Sequence, residues 1–146
     1  MREVAFYRNE AGNVLALVGA AGKELTVDGQ KYTLLVAGST DAATEKHVPA
    51  LQKIDNVLEV EVGSVEHPSE EKHYIEWIAL VTDKKVEIRY LKPGQKPKAV
   101  FDADDHGIVY AYCNLHGLWK EEFAVQHTAD EEQYVCSPEF GGCRLV

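Results

Sequence analysis

Short alternating runs of apolar and polar residues, cut by turn signals, recur through the middle of this chain and commit it to β structure. In Val57-Leu58-Glu59-Val60-Glu61-Val62, the residues Leu58, Val60 and Val62 fall on one face. Lys85-Val86-Glu87-Ile88-Arg89-Tyr90 alternates in the same way. His73 to Val81 is a longer run, rich in aromatic and β-branched residues. Ile108-Val109-Tyr110-Ala111-Tyr112 leads straight into Cys113. Asp55-Asn56, Thr82-Asp83, Lys92-Pro93-Gly94 and Asp104-Asp105-His106-Gly107 punctuate these runs as turns. Only Thr40 to Lys46 reads as locally helical. Short strands at this spacing predict an all-β sandwich.

Three units follow from the same pass. Residues 1–37 hold several glycines and two short apolar stretches, Val14–Val18 and Tyr32–Val36, and read as a small antiparallel β domain. Residues 38–126 carry the sandwich. Residues 127–146 read as a C-terminal extension with weak structure signals and a cysteine pair, Cys136 and Cys143. With 146 residues the chain is long enough to bury a core without disulfides.

Bulk properties exclude several roles. A net charge of −9 argues against a general nucleic-acid binder. An anionic substrate would need a local positive patch to approach such a chain. No apolar run is long enough to span a membrane. Met1 to Arg8 lacks the apolar stretch of a signal peptide, so the expectation is a cytoplasmic protein. Three unevenly placed cysteines are not a secreted disulfide framework.

Four of the six histidines lie in three compact contexts. His47 follows Glu45-Lys46 and precedes Val48-Pro49; His67 and His73 bracket the segment from Pro68 to Lys72; His116 closes Cys113-Asn114-Leu115-His116 at a strand end. A Cys-x-x-His turn lets a thiolate and an imidazole reach one metal. Structural zinc takes four ligands, usually with several thiolates. Blue copper takes two histidines, a cysteine and usually an axial methionine, and the only methionine here is Met1. Four imidazoles and one thiolate suit iron: a square plane of histidines, the thiolate on one axis and the other axis open. A thiolate opposite an open position pushes electron density toward a bound ligand, as in thiolate-ligated haem.

The segments Glu45–Pro49, Glu66–Ile78 and Cys113–Lys120 resemble the three iron-site motifs of the superoxide reductases, the desulfoferrodoxin/neelaredoxin family, with order and spacing kept from about Tyr7 to Lys120. The resemblance implies an immunoglobulin-like β-sandwich and the one-electron reduction of superoxide to hydrogen peroxide. It implies one non-haem iron with His47, His67, His73 and His116 as equatorial ligands and Cys113 as the axial thiolate. Lys46 would attract superoxide beside the open position and order a proton-donating water. Glu45 would be the carboxylate able to occupy that position, and Lys72 would add to the positive patch. Backbone amides after Cys113 would donate to its sulfur.

Two-iron members of the family bind a second iron through Cys-x-x-Cys and a later Cys-Cys-Gly. In this chain those positions are Arg8, Ala11, Val27 and Asp28, with Gly29 retained. The resemblance therefore implies an N-terminal desulforedoxin-like domain without its metal, an external donor such as rubredoxin, and a homodimer. An electron carrier with a closed iron shell and a zinc-stabilised β module are the competing readings. Cys136 and Cys143 lie outside the family motifs; they are either unremarkable thiols, a redox pair, or an extra metal site.

Overall fold

The computed structural model describes residues 3–19, 22–127, 133–137 and 142–145. Four strands, β1 (Val4–Arg8), β2 (Val14–Val18), β3 (Glu24–Val27) and β4 (Gln30–Leu34), form an antiparallel sheet in the order β2-β1-β4-β3. Its tightest turn is Asp28-Gly29, where Val27 pairs with Gln30 and both turn residues take positive φ, 50° and 75°. That is the backbone a two-residue hairpin needs, and an Asp-Gly pair supplies it at low cost.

A single helical turn, α1 (Thr44–His47), leads into β5 (Pro49–Ile54) and β6 (Val57–Val62). These two strands join β9 (Lys98–Asp102) in a three-stranded sheet, order β5-β6-β9. Facing it is a six-stranded sheet of β7 (Ile75–Val81), β8 (Val86–Tyr90), β10 (His106–Cys113), β11 (Gly117–His127), β12 (Gln133–Ser137) and β13 (Gly142–Leu145). The order is β13-β12-β11-β10-β7-β8, with every neighbouring pair antiparallel. The architecture is the all-β sandwich with a small N-terminal antiparallel β domain that the strand pattern predicts, of the immunoglobulin-like kind that the family resemblance implies.

Alternation builds the core between the two sheets. Leu58, Val60 and Val62 of β6 are buried and meet Ile78, Leu80, Val109, Ala111 and Phe123 of the facing sheet. Strand β7 is apolar on both faces because both are covered. Ile78 and Leu80 enter the sandwich core, while Trp77 and Ala79 meet the N-terminal sheet. There Phe6 packs 4.9 Å from Trp77 and edge-on, at 5.1 Å, to Tyr110. Trp77 in turn stacks on Tyr112 at 5.3 Å. Aromatic contacts of this kind add about 0.5–1.5 kcal/mol each beyond area burial. They fasten the N-terminal sheet to the strand that ends in Cys113.

Candidate metal centre

Three segments at one end of the sandwich, α1, the β6–β7 connection and the β10–β11 turn, deliver the four histidines and the cysteine. His47 ends α1, whose last amide bond runs from Val48 N to Thr44 O at 3.0 Å. The loop after β6 packs directly on that turn. Val65 N donates to Glu45 O at 2.9 Å, and a side chain at Gly63 would come within 2.7 Å of the same carbonyl. Only glycine leaves room for this approach. His67 follows, its amide bonded to Val62 O at 2.8 Å. His73 is held by a reciprocal pair of backbone bonds with Glu70, both 3.0 Å. Cys113 and His116 flank the β10–β11 turn, which closes at Gly117 with φ 76°.

Two residues that sequence reasoning did not single out tie these pieces together. Asn114 accepts from Tyr74 N through Oδ1 at 3.0 Å and donates through Nδ2 to Lys72 O at 3.1 Å. Its amide also donates to Tyr74 O at 3.2 Å, so the turn after Cys113 is clipped to the segment carrying His73. Trp119 donates from Nε1 to His116 O at 3.0 Å, and its ring stacks on His47 at 4.9 Å. The visible signal is an amide and an indole within the Cys113–Lys120 turn, but only tertiary contact shows what they hold.

The four imidazoles stand at the corners of a near square. Going round, the centroids of His47, His67, His73 and His116 are separated by 4.6, 4.6, 5.0 and 5.0 Å. Neighbouring rings are close to perpendicular, at 77°, 81°, 80° and 88°, and the His47–His73 diagonal is 6.2 Å. Donor atoms of His47, His67, His73 and Cys113 all lie within 4.8 Å of one another. Cys113 Sγ is 3.9 Å from His116 Nδ1 and is fully buried, so it reaches the group from the core side.

Proton placement identifies what the cluster lacks. His47 Nδ1 lies 2.7 Å from Ala43 O, and His67 Nδ1 lies 2.7 Å from Pro68 O. A carbonyl can only accept, so both Nδ1 atoms carry the proton. The two Nε2 atoms are then bare lone pairs, yet they face each other at 3.1 Å. His47 Nε2 is also 3.1 Å from His116 Nδ1. His73 Nε2 is buried with no hydrogen-bond partner. Lone pairs converging without protons between them are the donor set of a metal ion, with the far ring nitrogens anchored as metal-bound histidines require.

Electrostatics agree. Burial holds His47 and His73 below the ordinary imidazole range, and it takes His67 down to about 4. The other histidines and the Lys46 ammonium push His47 and His73 the same way. Neutral imidazoles are the form a metal binds. Burial raises the Cys113 thiol, and amides of His116 and Leu115 donating to the sulfur partly offset it. Those amides and a cation would favour the thiolate. Glu45, Lys46 and Lys72 are exposed around the centre. Of the other named positions, Arg8 and Ala11 lie at and just after the end of β1, and Val27 and Asp28 at the β3–β4 turn. Cys136 and Cys143 belong to the β12–β13 hairpin, and their side chains lie outside the described residues.

Fold and site together define a β-sandwich protein in which His47, His67, His73 and Cys113 form a group able to hold a metal, with His116 beside it. A family model for desulfoferrodoxin matches residues 39–122. The desulfoferrodoxin of Clostridium acetobutylicum is 44% identical over 117 residues, covering 80% of this chain and 94% of that one. The crystal structure of the superoxide reductase from Treponema pallidum superposes with a TM-score of 0.68 at 33% identity, covering 82% of this chain and 98% of that one. The one-iron superoxide reductase from Giardia intestinalis gives a TM-score of 0.50 at 33% identity, over 56% of this chain and 99% of that one. The chain belongs to the desulfoferrodoxin family. Among the described residues no helix is long and apolar enough to cross a membrane.

Proposed function

We propose that this chain is a superoxide reductase that holds one iron on His47, His67, His73, His116 and Cys113. The balanced reaction takes one superoxide, one electron and two protons to one hydrogen peroxide. The observation that carries the reading is the near square of inward-facing imidazole lone pairs above a buried thiol. Five donors with a single sulfur exceed a four-coordinate structural zinc site and match no blue-copper set. Relatives that carry the name superoxide reductase, including a one-iron protein, support iron.

Iron held by these residues would supply a one-electron couple. The chain does the rest. Cys113, as thiolate, donates electron density from the core side, and the amides of Leu115 and His116 temper it. Ala43 O and Pro68 O fix the tautomers of His47 and His67. Lys46 draws the superoxide anion toward a protein whose net charge of −9 would otherwise repel it, and Lys72 adds to that local field. The ammonium of Lys46 also orders a water that delivers protons. Glu45, on the same turn as His47, would be the carboxylate available to the metal when no substrate is present. The electron comes from a small external donor of the rubredoxin kind, and the chain works as a homodimer.

The test is an iron count with visible and EPR spectra of the oxidised protein, followed by a superoxide pulse on the pre-reduced protein. One iron per chain, a ferric-thiolate band and second-order consumption of superoxide are expected. A colourless zinc protein, or an iron protein inert to superoxide, overturns the reading.

A further inference from the structure

The cysteine pair of the tail lies outside the metal centre, and the sheet register assigns it a place. In the β12–β13 hairpin Cys136 is the direct cross-strand partner of Cys143, flanked by Val135–Arg144 and Ser137–Gly142. Cα atoms of directly opposed residues in an antiparallel pair lie about 4.5–5.5 Å apart. That falls inside the range of about 4.4–6.8 Å that a disulfide spans. A one-residue slip in register would put the two on opposite faces of the sheet.

The same register says which face the pair shares. One cross-strand row runs His106, Ala124, Cys136, Cys143 over four strands. His106 and Ala124 are exposed, whereas Phe123, the next position on β11, is buried in the core. Positions in one row share a face, so the register sets Cys136 and Cys143 in the row of His106 and Ala124, and β13 is the outermost strand of the sheet. The register also separates the pair from the metal centre. Cys113 pairs with Gly117 and Cys136 with Ala124, so the two register positions are seven residue steps apart on β11, about 23 Å along the strand. At that separation along the strand the pair is not a ligand of the centre, and a diffusible species is the simplest link between the two.

We propose that Cys136 and Cys143 form a peroxide-oxidised dithiol that closes into a reversible cross-strand disulfide. One thiolate attacks hydrogen peroxide, the O–O bond breaks, and the sulfur becomes a sulfenic acid as water leaves. The second thiol attacks that sulfur, the S–O bond breaks, and another water leaves as the S–S bond forms. Two thiols and one peroxide thus give one disulfide and two waters, with two electrons passing from sulfur to peroxide. An external dithiol reverses it. The geometry of the pair is independent of the proposed reductase activity; only the local supply of peroxide rests on that reading.

The experiment uses the full-length iron-loaded protein, reduced, freed of reductant and titrated with hydrogen peroxide. Alkylation and peptide mapping read the thiols. Two alkylatable thiols should vanish together, a linked Cys136–Cys143 peptide should appear, and dithiothreitol should restore both. Cys136→Ser should form no internal bond, and Cys143 should be trapped by dimedone as the sulfenic acid. Thiols that remain alkylatable in a large excess of peroxide, or a bond formed only between chains, overturn the proposal. A superoxide pulse is the second arm. A disulfide with added peroxide but none after superoxide upholds the dithiol and counts against the reductase reading.

Discussion

His47 Nε2 and His67 Nε2 face each other at 3.1 Å while both Nδ1 protons are committed to the carbonyls of Ala43 and Pro68. Without a cation between them, neither ring can satisfy the other, and protonating either would place a charge in a buried site. His67 is 2% exposed, and its pKa falls from 6.5 to about 4. Between those two values the unfolded chain holds a proton that the folded chain does not, so stability falls as the pH falls. Above the upper value both states are neutral, and below the lower value both are protonated, so the dependence flattens at each end. For the metal-free protein we expect a loss of roughly 3 kcal/mol from His67 across this window, with His47 and His73 adding in the same direction. Denaturant midpoints from pH 8 to pH 3 measure it; a midpoint independent of pH through this window would refute it.

Cys113→Ser should abolish the visible ferric-thiolate band and the reaction with superoxide while the sandwich still folds. Cys113 is fully buried at the edge of the sandwich core, and that core is carried by many larger apolar groups. Absorption spectra, activity and thermal unfolding of the variant together decide this. Retained colour with retained activity would show that another group supplies the axial donor.

The parts of this structure that were legible in the sequence are those where one physical signal dominates. Leu58, Val60 and Val62 alternate and are buried at 0, 1 and 0% exposure, as their period requires. The run from His73 to Val81 reads as one strand, yet β7 starts at Ile75, because His73 is drawn into a tight loop with Glu70. Strand β5 escaped notice because Lys53 occupies a buried position in its alternation, its ammonium donating to the carbonyl of Asp55. Its apolar period is broken by a residue whose stem packs and whose charge is satisfied locally. The tail strands β12 and β13 are short, and serial pairing, β12 onto β11 and β13 onto β12, accounts for them. For the site, ligand-type residues at strand ends were legible, whereas the tertiary roles of Asn114 and Trp119 were not.

Asn114→Ala should weaken metal binding while the sandwich stays folded. The side-chain amide joins the Cys113 turn to the backbone on either side of His73 through two hydrogen bonds of 3.0 and 3.1 Å, which the substitution removes, while the backbone bond from Asn114 N to Tyr74 O remains. Removing an outer partner of this kind typically costs about 10–100-fold in metal affinity or activity. A competition titration with a chromophoric chelator measures the affinity. A fall below threefold would mean that the two loops hold their register without the clip.

The N-terminal sheet should bind no iron, so the chain should carry one. Arg8, Ala11, Val27 and Asp28 offer no thiolate where two-iron relatives have their four cysteines. Asp28 serves the β3–β4 turn, and Phe6 anchors the sheet on Trp77, so the unit has a packing role without a metal. Metal analysis near two irons per chain, or a tetrathiolate spectrum, would refute this.

Lys46→Ala should slow the second-order reaction with superoxide by roughly 10-fold or more at low salt, within the range that electrostatic steering supplies. The lysine is exposed on the single helical turn that presents His47, and its charge is felt by both His47 and His73. Such a cation acts on an approaching anion over about a Debye length, roughly 10 Å at 0.1 M salt. Wild-type rates should therefore fall as salt is added, and the variant's rates should change much less, so that the two converge. Lys46→Arg should keep most of the salt dependence, because the charge remains, while the altered head group tests proton delivery separately. Pulse radiolysis or stopped flow across an ionic-strength series gives both slopes. Equal rates for Lys46→Ala and wild type at low salt would remove Lys46 from substrate capture and leave Lys72 as the cation to examine.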